Sequence, residues 1–286
     1  GRFFNYQAIG MIGAARTGTT ILQNALNDAR GIFLFGEPDF HTDPGTADFA
    51  SRYNARHRAW GNQENKSSYC PAFFDRDAPW HAYLQHLGGL YRRVGSKIVI
   101  NPAGAGEHCA RLFDFHCRHF YASHYVFTFR NPLDTLMSTR GLAALNGDAA
   151  AGHATVLAGF LEVVLLYIRM LRNLPEVSVL FHETVDAAAL EALGARLGMP
   201  LPGAHAYYDR GKVRRYRLDE LPAEHRPAAE AALGFYEDFR REASAGFALP
   251  QIEQNAGHLD PGHYTPLGEL ARRARRLLDE LHAAGG

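Results

Sequence analysis

The chain has 286 residues, of which 47% are hydrophobic, and its 30 basic and 30 acidic side chains give a formal net charge of zero. This apolar fraction is enough for a buried core, and the balanced charge argues against a protein built to bind nucleic acid or an anionic membrane. Three scattered cysteines are too few for a disulfide framework, and no charged-then-apolar signal segment opens the chain, so we expect a cytoplasmic protein.

The first 27 residues contain a predicted strand, a glycine-rich turn and a helix. The strand, Tyr6 to Ile12, is mostly apolar, the turn runs from Gly13 to Gly18, and apolar residues then recur at helical spacing. A turn that enters a helix in this way points several backbone N–H groups at one place. Together with the helix dipole, these groups favour a bound phosphate or sulfate.

This turn is similar to the P-loop of nucleoside triphosphatases, G-x-x-x-x-G-K-[ST], but it lacks the lysine. Gly13 and Gly18 have the P-loop spacing, whereas Thr19 occupies the lysine position and Arg16 supplies a cation inside the turn. A kinase or ATPase uses that lysine on the β- and γ-phosphates. The sequence therefore predicts an anion-binding turn, and a sharp turn without a ligand is the alternative.

A second short strand, Gly31 to Glu37, follows the first helix, and this alternation predicts a parallel sheet. Ligands of such sheets bind at the carboxyl ends of the strands. Glu37 lies at that edge, where its carboxylate could act as a general base or cap nearby backbone. His41, four residues later, is the rival base.

Residues 41–79 are polar and irregular and contain many aromatic and cationic side chains. Long loops in compact domains are often lids or binding surfaces. We predict a lid that selects the acceptor; a partly helical cap over the sheet is the plainer interpretation, and the two are compatible.

The alternation continues with a helix from Trp80 to Tyr91, a strand from Ser96 to Asn101 and a helix from Glu107 to Phe120. Cys109 and Cys117 share one face of that last helix with a histidine. Because no second ligand pair accompanies them, we predict no metal site.

Residues 125–138 read as a buried strand that runs into a helix. Arg130 follows the predicted strand, Tyr125 to Phe129, while Asp134 lies near the helix start and Ser138 about two turns into the helix. The arginine and the hydroxyl could together hold a second phosphate. An arginine paired with Asp134 is the alternative explanation.

The chain then continues mainly with helices. The most apolar of them, His153 to Leu174, is interrupted by three charged side chains, and we predict a core helix rather than a membrane span. A strand, Val177 to Val185, and helices at Ala187 to Leu197, at Glu224 to Arg241 and from Pro266 onward complete the predicted elements.

Together, the two anion-binding motifs resemble those of the sulfotransferases that use 3′-phosphoadenosine-5′-phosphosulfate (PAPS). In that family a basic residue followed by S/T-G-T/S-T/S holds the 5′-phosphosulfate, and a later R-x-P-x-D-x-x-x-S holds the 3′-phosphate. The stretch from Arg130 to Ser138 matches the second motif at every defined position. The stretch similar to the first motif consists of Ala15, Arg16, Thr17, Gly18, Thr19 and Thr20.

The resemblance extends to about residue 198. Gly36-Glu37-Pro38 resembles a strand end found in the carbohydrate, tyrosyl-protein and bacterial glycolipid branches, where glutamate is the proposed base. His182-Glu183 stands where the family usually has a tyrosine–glutamate pair. The basic loop from Asp209 to Arg217 is similar to one that the family brings over the 3′ side of the cofactor. Lys212 is its candidate contact, and a solvated loop is an equal alternative.

The resemblance implies a single α/β domain over residues 1–286, P-loop-like, with a central parallel sheet flanked by helices in three α/β/α layers. The lid-like insertion at 41–79 and a helical C-terminal region at 222–286 would complete it. The implied reaction moves a sulfonate group from PAPS to a hydroxyl or amine on a saccharide or small secondary metabolite. Its second product is adenosine 3′,5′-bisphosphate, and it requires no metal. Glu37 would be the base, and Arg16 would neutralise the departing phosphate.

Two other functions compete with this interpretation. A nucleotide or small-molecule kinase with a degenerate P-loop is disfavoured by the missing lysine at position 19. A nucleotide-binding protein without catalysis is disfavoured by Glu37 beside the turn.

Overall fold

The computed structural model describes residues 7–61, 76–208, 214–247 and 266–285. In this part of the chain five strands form one sheet in the spatial order β2-β3-β1-β4-β5. All of their pairings are parallel. The strands are β1 (Gln7–Ala14), β2 (Ile32–Gly36), β3 (Arg93–Ile100), β4 (His124–Phe129) and β5 (Glu176–Phe181).

Helices pack on both sides of this sheet. Those of the described residues are α1 (Thr19–Asn27), α2 (Phe49–Ala59), α3 (Trp80–Gly88), α4 (Ala105–His119), α5 (Pro132–Asn146), α6 (His153–Asn173), α7 (Ala187–Leu197), α8 (Arg226–Ala245) and α9 (Pro266–Gly285). The predicted α/β fold with a central parallel sheet flanked by helices is therefore confirmed. The extent of the domain stays a prediction.

Alternating side chains of the strands produce the layers. In β2, Phe33 and Phe35 join a large apolar core on one side of the sheet, while Ile32 and Leu34 join a smaller core on the other. The smaller core is closed by α1 and α7, and the larger by α3, α4, α6, α8 and α9. Apolar side chains on both faces are typical of a sheet that is buried between helices.

Because the strands are parallel, the segments that follow β1, β2, β3 and β4 all leave from the same edge of the sheet. A backbone hydrogen bond of 3.0 Å from Ala15 N–H to the carbonyl of Ile100 ties the turn after β1 to the end of β3. Both predicted anion-binding motifs and Glu37 thus begin at one edge.

The predicted lid is partly seen. Within it α2 packs Phe49 and Tyr53 against Phe35 of β2. The Gly36 N–H donates to the Tyr53 hydroxyl at 3.1 Å, so α2 holds the end of β2 in place. Residues 62–75 of the predicted lid lie outside the described residues.

Among the described residues, α6 is the one helix long and apolar enough to cross a membrane by length and composition alone. The protein buries 61% of its most apolar window. α6 packs against α4, α5, α8 and α9, which is the position predicted for a core helix.

Candidate functional site

The turn after β1 leaves the start of α1 open to an anion. Thr17 Oγ1 donates to the carbonyl of Ala14 at 2.7 Å, and Thr128 Oγ1 of β4 donates to the carbonyl of Thr17 at 3.2 Å, which fixes the turn. Gly18, the residue before α1, has a left-handed φ of 85°. In the described part of the chain no side chain caps this helix and its first turn holds no acid. Its first N–H groups can therefore bind an oxyanion.

Arg16, Arg130 and Ser138 form one polar group beside this turn. Arg16 Nε donates to Ser138 Oγ at 3.1 Å, and Arg130 Nη1 donates to the carbonyl of Arg16 at 3.3 Å. The pKa of Arg16 is lowered by partial burial and then by the positive charge of Arg130. Two arginines that repel each other favour a bound anion between them. The structure thus brings together the predicted residues of both motifs.

Asp134 of the second motif holds a loop instead of pairing with Arg130. Its Oδ1 accepts a hydrogen bond of 2.8 Å from the backbone N–H of Tyr216, and Arg130 Nη2 donates to the carbonyl of Arg214 at 3.0 Å. Burial raises the pKa of Asp134, while the Tyr216 N–H opposes that shift. The loop of residues 214–217 is thereby fastened over the arginine group. Lys212 lies just outside the described residues.

Glu37 belongs to a second group, with Lys97 of β3 and Thr20 of α1. Lys97 Nζ lies 3.3 Å from Glu37 Oε2, and it donates to Thr20 Oγ1 at 3.3 Å. The Lys97 side chain is 1% exposed, and that of Glu37 is 18% exposed. Burial lowers the pKa of Lys97 to about 8, and the negative charge of Glu37 opposes that shift. A carboxylate and an ammonium therefore lie together beside Thr20, next to the turn that follows β1.

Sequence reasoning gave no role to Lys97, although a usable signal was present. The residue directly precedes the apolar run Ile98 to Ile100 of a buried strand, and lysines are rarely fully buried without a partner. A lysine in a central strand therefore predicts a nearby acid.

His41, the rival base, lies in another environment. Its ring stacks on His108 of α4 at a centroid distance of 4.8 Å and lies 6.4 Å from the ring of Phe115. Burial, followed by the charges of His108 and Arg111, lowers the pKa of His41 to about 4. The structure places His41 against α4, and it places Glu37 with Lys97.

His182, at the end of β5, is a further residue of this edge that sequence reasoning noted without a role. Its Nδ1 is buried and makes no hydrogen bond to the described residues. Burial and then the charge of Arg130 lower the pKa of His182. The His182 ring lies directly against Gly18, because a Cβ built on that glycine would stand 2.5 Å from His182 Nδ1.

Backbone strain is concentrated in the same loops. Among the described residues other than glycine, positive φ angles occur at Arg16 (67°), Glu37 (51°) and Asp39 (51°). Arg56 of α2 donates to the Glu37 carbonyl and pairs with Asp39 Oδ2 at 3.0 Å, so α2 holds the second of these loops in its left-handed form. Such strain persists where surrounding contacts impose it, and it is common at functional sites.

No protein-family model matches the sequence, and no curated protein sequence matches it. Two solved structures are similar in fold. The sulfotransferase domain from the curacin biosynthetic pathway aligns with a TM-score of 0.53 over 99% of both chains, at 12% identity. The sulfotransferase from Alicyclobacillus acidocaldarius aligns with a TM-score of 0.50 at 16% identity, over 88% of this chain and 99% of that one. The chain therefore shares its fold with these two structures.

The shared fold and the resemblance of the two motifs concern different extents of the chain. The motifs consist of short stretches of sequence, whereas the structural alignment spans nearly the whole chain. A shared fold does not by itself establish a reaction, which depends on the side chains of the site.

We expect Gly18→Ala to lower the free energy of unfolding by more than the cost of placing alanine in a left-handed conformation. That conformation costs about 1–2 kcal/mol for a residue with a Cβ, and the new Cβ would also lie 2.5 Å from His182 Nδ1. The matched control is Gly104→Ala, because Gly104 has a φ of 69° with nothing within 4 Å of a built Cβ. Urea unfolding measures both variants; equal losses of unfolding free energy would contradict the role given to His182.

Proposed function

We propose that the protein transfers the sulfonate group of PAPS to an acceptor hydroxyl or amine. The observation that carries the proposal is one sheet edge at which an uncapped helix N-terminus lies between two groups of side chains. Arg16, Arg130 and Ser138 stand on one side of it, and Glu37 and Lys97 on the other. The sulfotransferase fold supports this assignment.

The first group suits the two anionic ends of the donor. Backbone N–H groups of residues 15–20 would bind the 5′-phosphosulfate, and Arg130 with Ser138 would bind the 3′-phosphate. The backbone of Arg16 is part of the turn, and its side chain reaches Ser138. Arg16 can therefore contact both the 5′-phosphosulfate and the 3′-phosphate of the donor. Its guanidinium would neutralise charge on the departing phosphate oxygen.

The second group suits activation of the acceptor. Glu37 would accept the proton of the acceptor hydroxyl as that oxygen attacks the sulfur. Lys97 would orient the carboxylate, since its ammonium bridges Glu37 and Thr20. A saccharide or small secondary metabolite is the proposed acceptor class, because the 41–79 segment combines aromatic side chains with arginines next to Glu37.

A kinase is the second candidate, and one observation favours it. Lys97 supplies an ammonium beside Thr20, at the turn whose own sequence lacks the P-loop lysine. A lysine from a neighbouring strand could bind the β- and γ-phosphates of a nucleoside triphosphate there.

Ligand-induced stabilisation separates the two candidates. A ligand at one hundred times its Kd stabilises the folded state by about 2.7 kcal/mol, so a binder raises the melting temperature measurably. We expect adenosine 3′,5′-bisphosphate to do so and magnesium-ATP to have little effect. Stabilisation by magnesium-ATP alone would favour the kinase.

Turnover with PAPS is expected to survive excess EDTA. Sulfonate transfer places less negative charge on the moving group than phosphoryl transfer does, so Arg16 and the N–H groups of the turn can stabilise it. Product formation is measured with and without chelator. Activity that disappears in EDTA and returns with magnesium would contradict this expectation.

Turnover should also fall as the pH rises through about 8. Lys97, whose pKa is lowered to about 8 by burial, is protonated below that pH and neutral above it, where Glu37 loses its cationic partner. We expect Lys97→Met to have lower turnover that no longer declines across this range. If the variant retains the same alkaline decline, another group is responsible.

A further inference from the structure

A cleft of about 530 Å³ lies between α4, α6 and α9, and none of its lining residues belongs to the candidate site. Three of them are arginines, Arg169 and Arg172 of α6 and Arg275 of α9. Most of the other lining residues are apolar, among them Leu165 and Ile168, and Glu162 and Asn173 are the polar exceptions. The volume is within the range of small-molecule sites, about 300–1,000 Å³.

Two of these arginines, Arg169 and Arg275, are not balanced by an acid in the described part of the chain. Neither Arg169 nor Arg275 forms an ion pair there. Arg169 is held in place because its guanidinium carbon lies 3.8 Å from the ring centroid of Phe113. The pKa of Arg172 is lowered by burial and then by the positive charge of Arg275, so two of the cations repel each other.

Glu162 is the one carboxylate among the described residues that line the cleft. Burial raises its pKa, and the opposing influence comes from His282 of α9 rather than from the arginines. Among the described residues, Glu162 forms no ion pair with Arg169 or Arg275. It lies at the border with a neighbouring cavity of about 470 Å³, which also contains His282.

Other arginines of α9 show the ordinary arrangement. Arg272 pairs with Glu269 at 3.3 Å, and Arg273 pairs with Asp238 of α8 at 2.8 Å. Arg275 lies on the same helix but lines the cleft instead. The cationic character of the cleft is therefore a feature of this place and not of α9 as a whole.

We propose that this cleft binds an organic molecule that carries a phosphate or sulfate ester, at a site separate from the turn of residues 15–20. Arg169, Arg172 and Arg275 would hold the ester oxygens through charge-assisted hydrogen bonds. Leu165 and Ile168 would contact the organic part. The proposal stands on these contacts alone and does not require the proposed sulfonate transfer.

The test is calorimetric titration of the full chain with phenyl phosphate and with inorganic phosphate. We expect phenyl phosphate to bind more tightly than inorganic phosphate, because only the ester also contacts the apolar lining. We expect the double variant Arg169→Gln/Arg275→Gln to lose at least tenfold in phenyl phosphate affinity. Arg275→Gln alone, at an exposed position, should show part of that loss if the double variant does not fold.

Two controls locate the site. Arg276→Gln removes the same charge from the next position of α9, which lines a different surface pocket, and should leave the affinity unchanged. Arg16→Gln weakens anion binding at the turn and should leave the phenyl phosphate site intact. Unchanged affinity in the Arg169/Arg275 variants, an equal loss in Arg276→Gln, or a complete loss in Arg16→Gln would overturn the proposal. Equal affinities for the two phosphates would overturn the assignment of an organic ligand.

Discussion

Glu37→Gln should lower turnover by about a hundredfold to ten-thousandfold while leaving affinity for the donor nearly unchanged. A general base typically contributes a rate factor of that size, and glutamine keeps the shape of the side chain without accepting the proton. The backbone N–H of Glu37 donates to the Lys97 carbonyl at 3.0 Å, a bond that glutamine at this position also makes. Single-turnover rates and calorimetry with adenosine 3′,5′-bisphosphate separate the chemical step from binding.

His41→Ala is the control for this variant. His41 stacks on His108 and its pKa is lowered to about 4, so its removal should affect turnover much less than the loss of Glu37 does. If Glu37→Gln turns over normally and His41→Ala is inactive, then the base is His41 and the role proposed for the Glu37–Lys97 pair is wrong.

Arg130→Ala should weaken binding of adenosine 3′,5′-bisphosphate by about 2–3 kcal/mol, or about 30- to 150-fold. A charge-assisted, two-pronged contact with a phosphate is worth that much. Arg130 Nε is buried and makes no hydrogen bond to the described residues, which leaves a donor for a ligand. Calorimetry measures the affinity. Thermal unfolding without ligand measures how much stability the variant loses because Arg130 no longer donates to the carbonyls of Arg16 and Arg214.

Arg140→Ala is the matched control, because it removes the same charge from the helix that carries Ser138. Arg140 Nη1 donates to the carbonyl of Ala151 at 3.2 Å, away from the turn, and its loss should leave nucleotide affinity almost unaltered. Equal affinities of wild type and Arg130→Ala would refute the assignment of the 3′-phosphate site.

Local signals carried most of the fold prediction. Apolar strands and amphipathic helices alternate, and glycine marks the turn after β1, so the parallel sheet and its ligand edge could be derived from short stretches of sequence. The helix Ala187–Leu197 was predicted with the boundaries that the structure shows. Elsewhere the ends differ by a few residues, as for β3, which begins at Arg93 rather than Ser96.

The partners of individual side chains depend on contacts between distant segments, which no local pattern contains. Arg16 and Ser138 are 122 residues apart, and Asp134 and Tyr216 are 82 apart. Sequence spacing alone could not decide between Asp134 as a partner of Arg130 and Asp134 as the fastening of a loop. The same holds for Lys97, whose carboxylate partner, Glu37, lies in the loop that follows the neighbouring strand β2.

Arg56 connects the 41–79 segment to the loop of Glu37, so this segment cannot be replaced without affecting that loop. Arg56 of α2 holds the loop of Glu37 through the Glu37 carbonyl and through Asp39, so α2 also determines where the Glu37 carboxylate lies. A chimera that imports this segment from another protein without Arg56 would lose both contacts that hold the loop of Glu37. Changes to this segment therefore leave the loop of Glu37 in place only if Arg56 and its two contacts are kept.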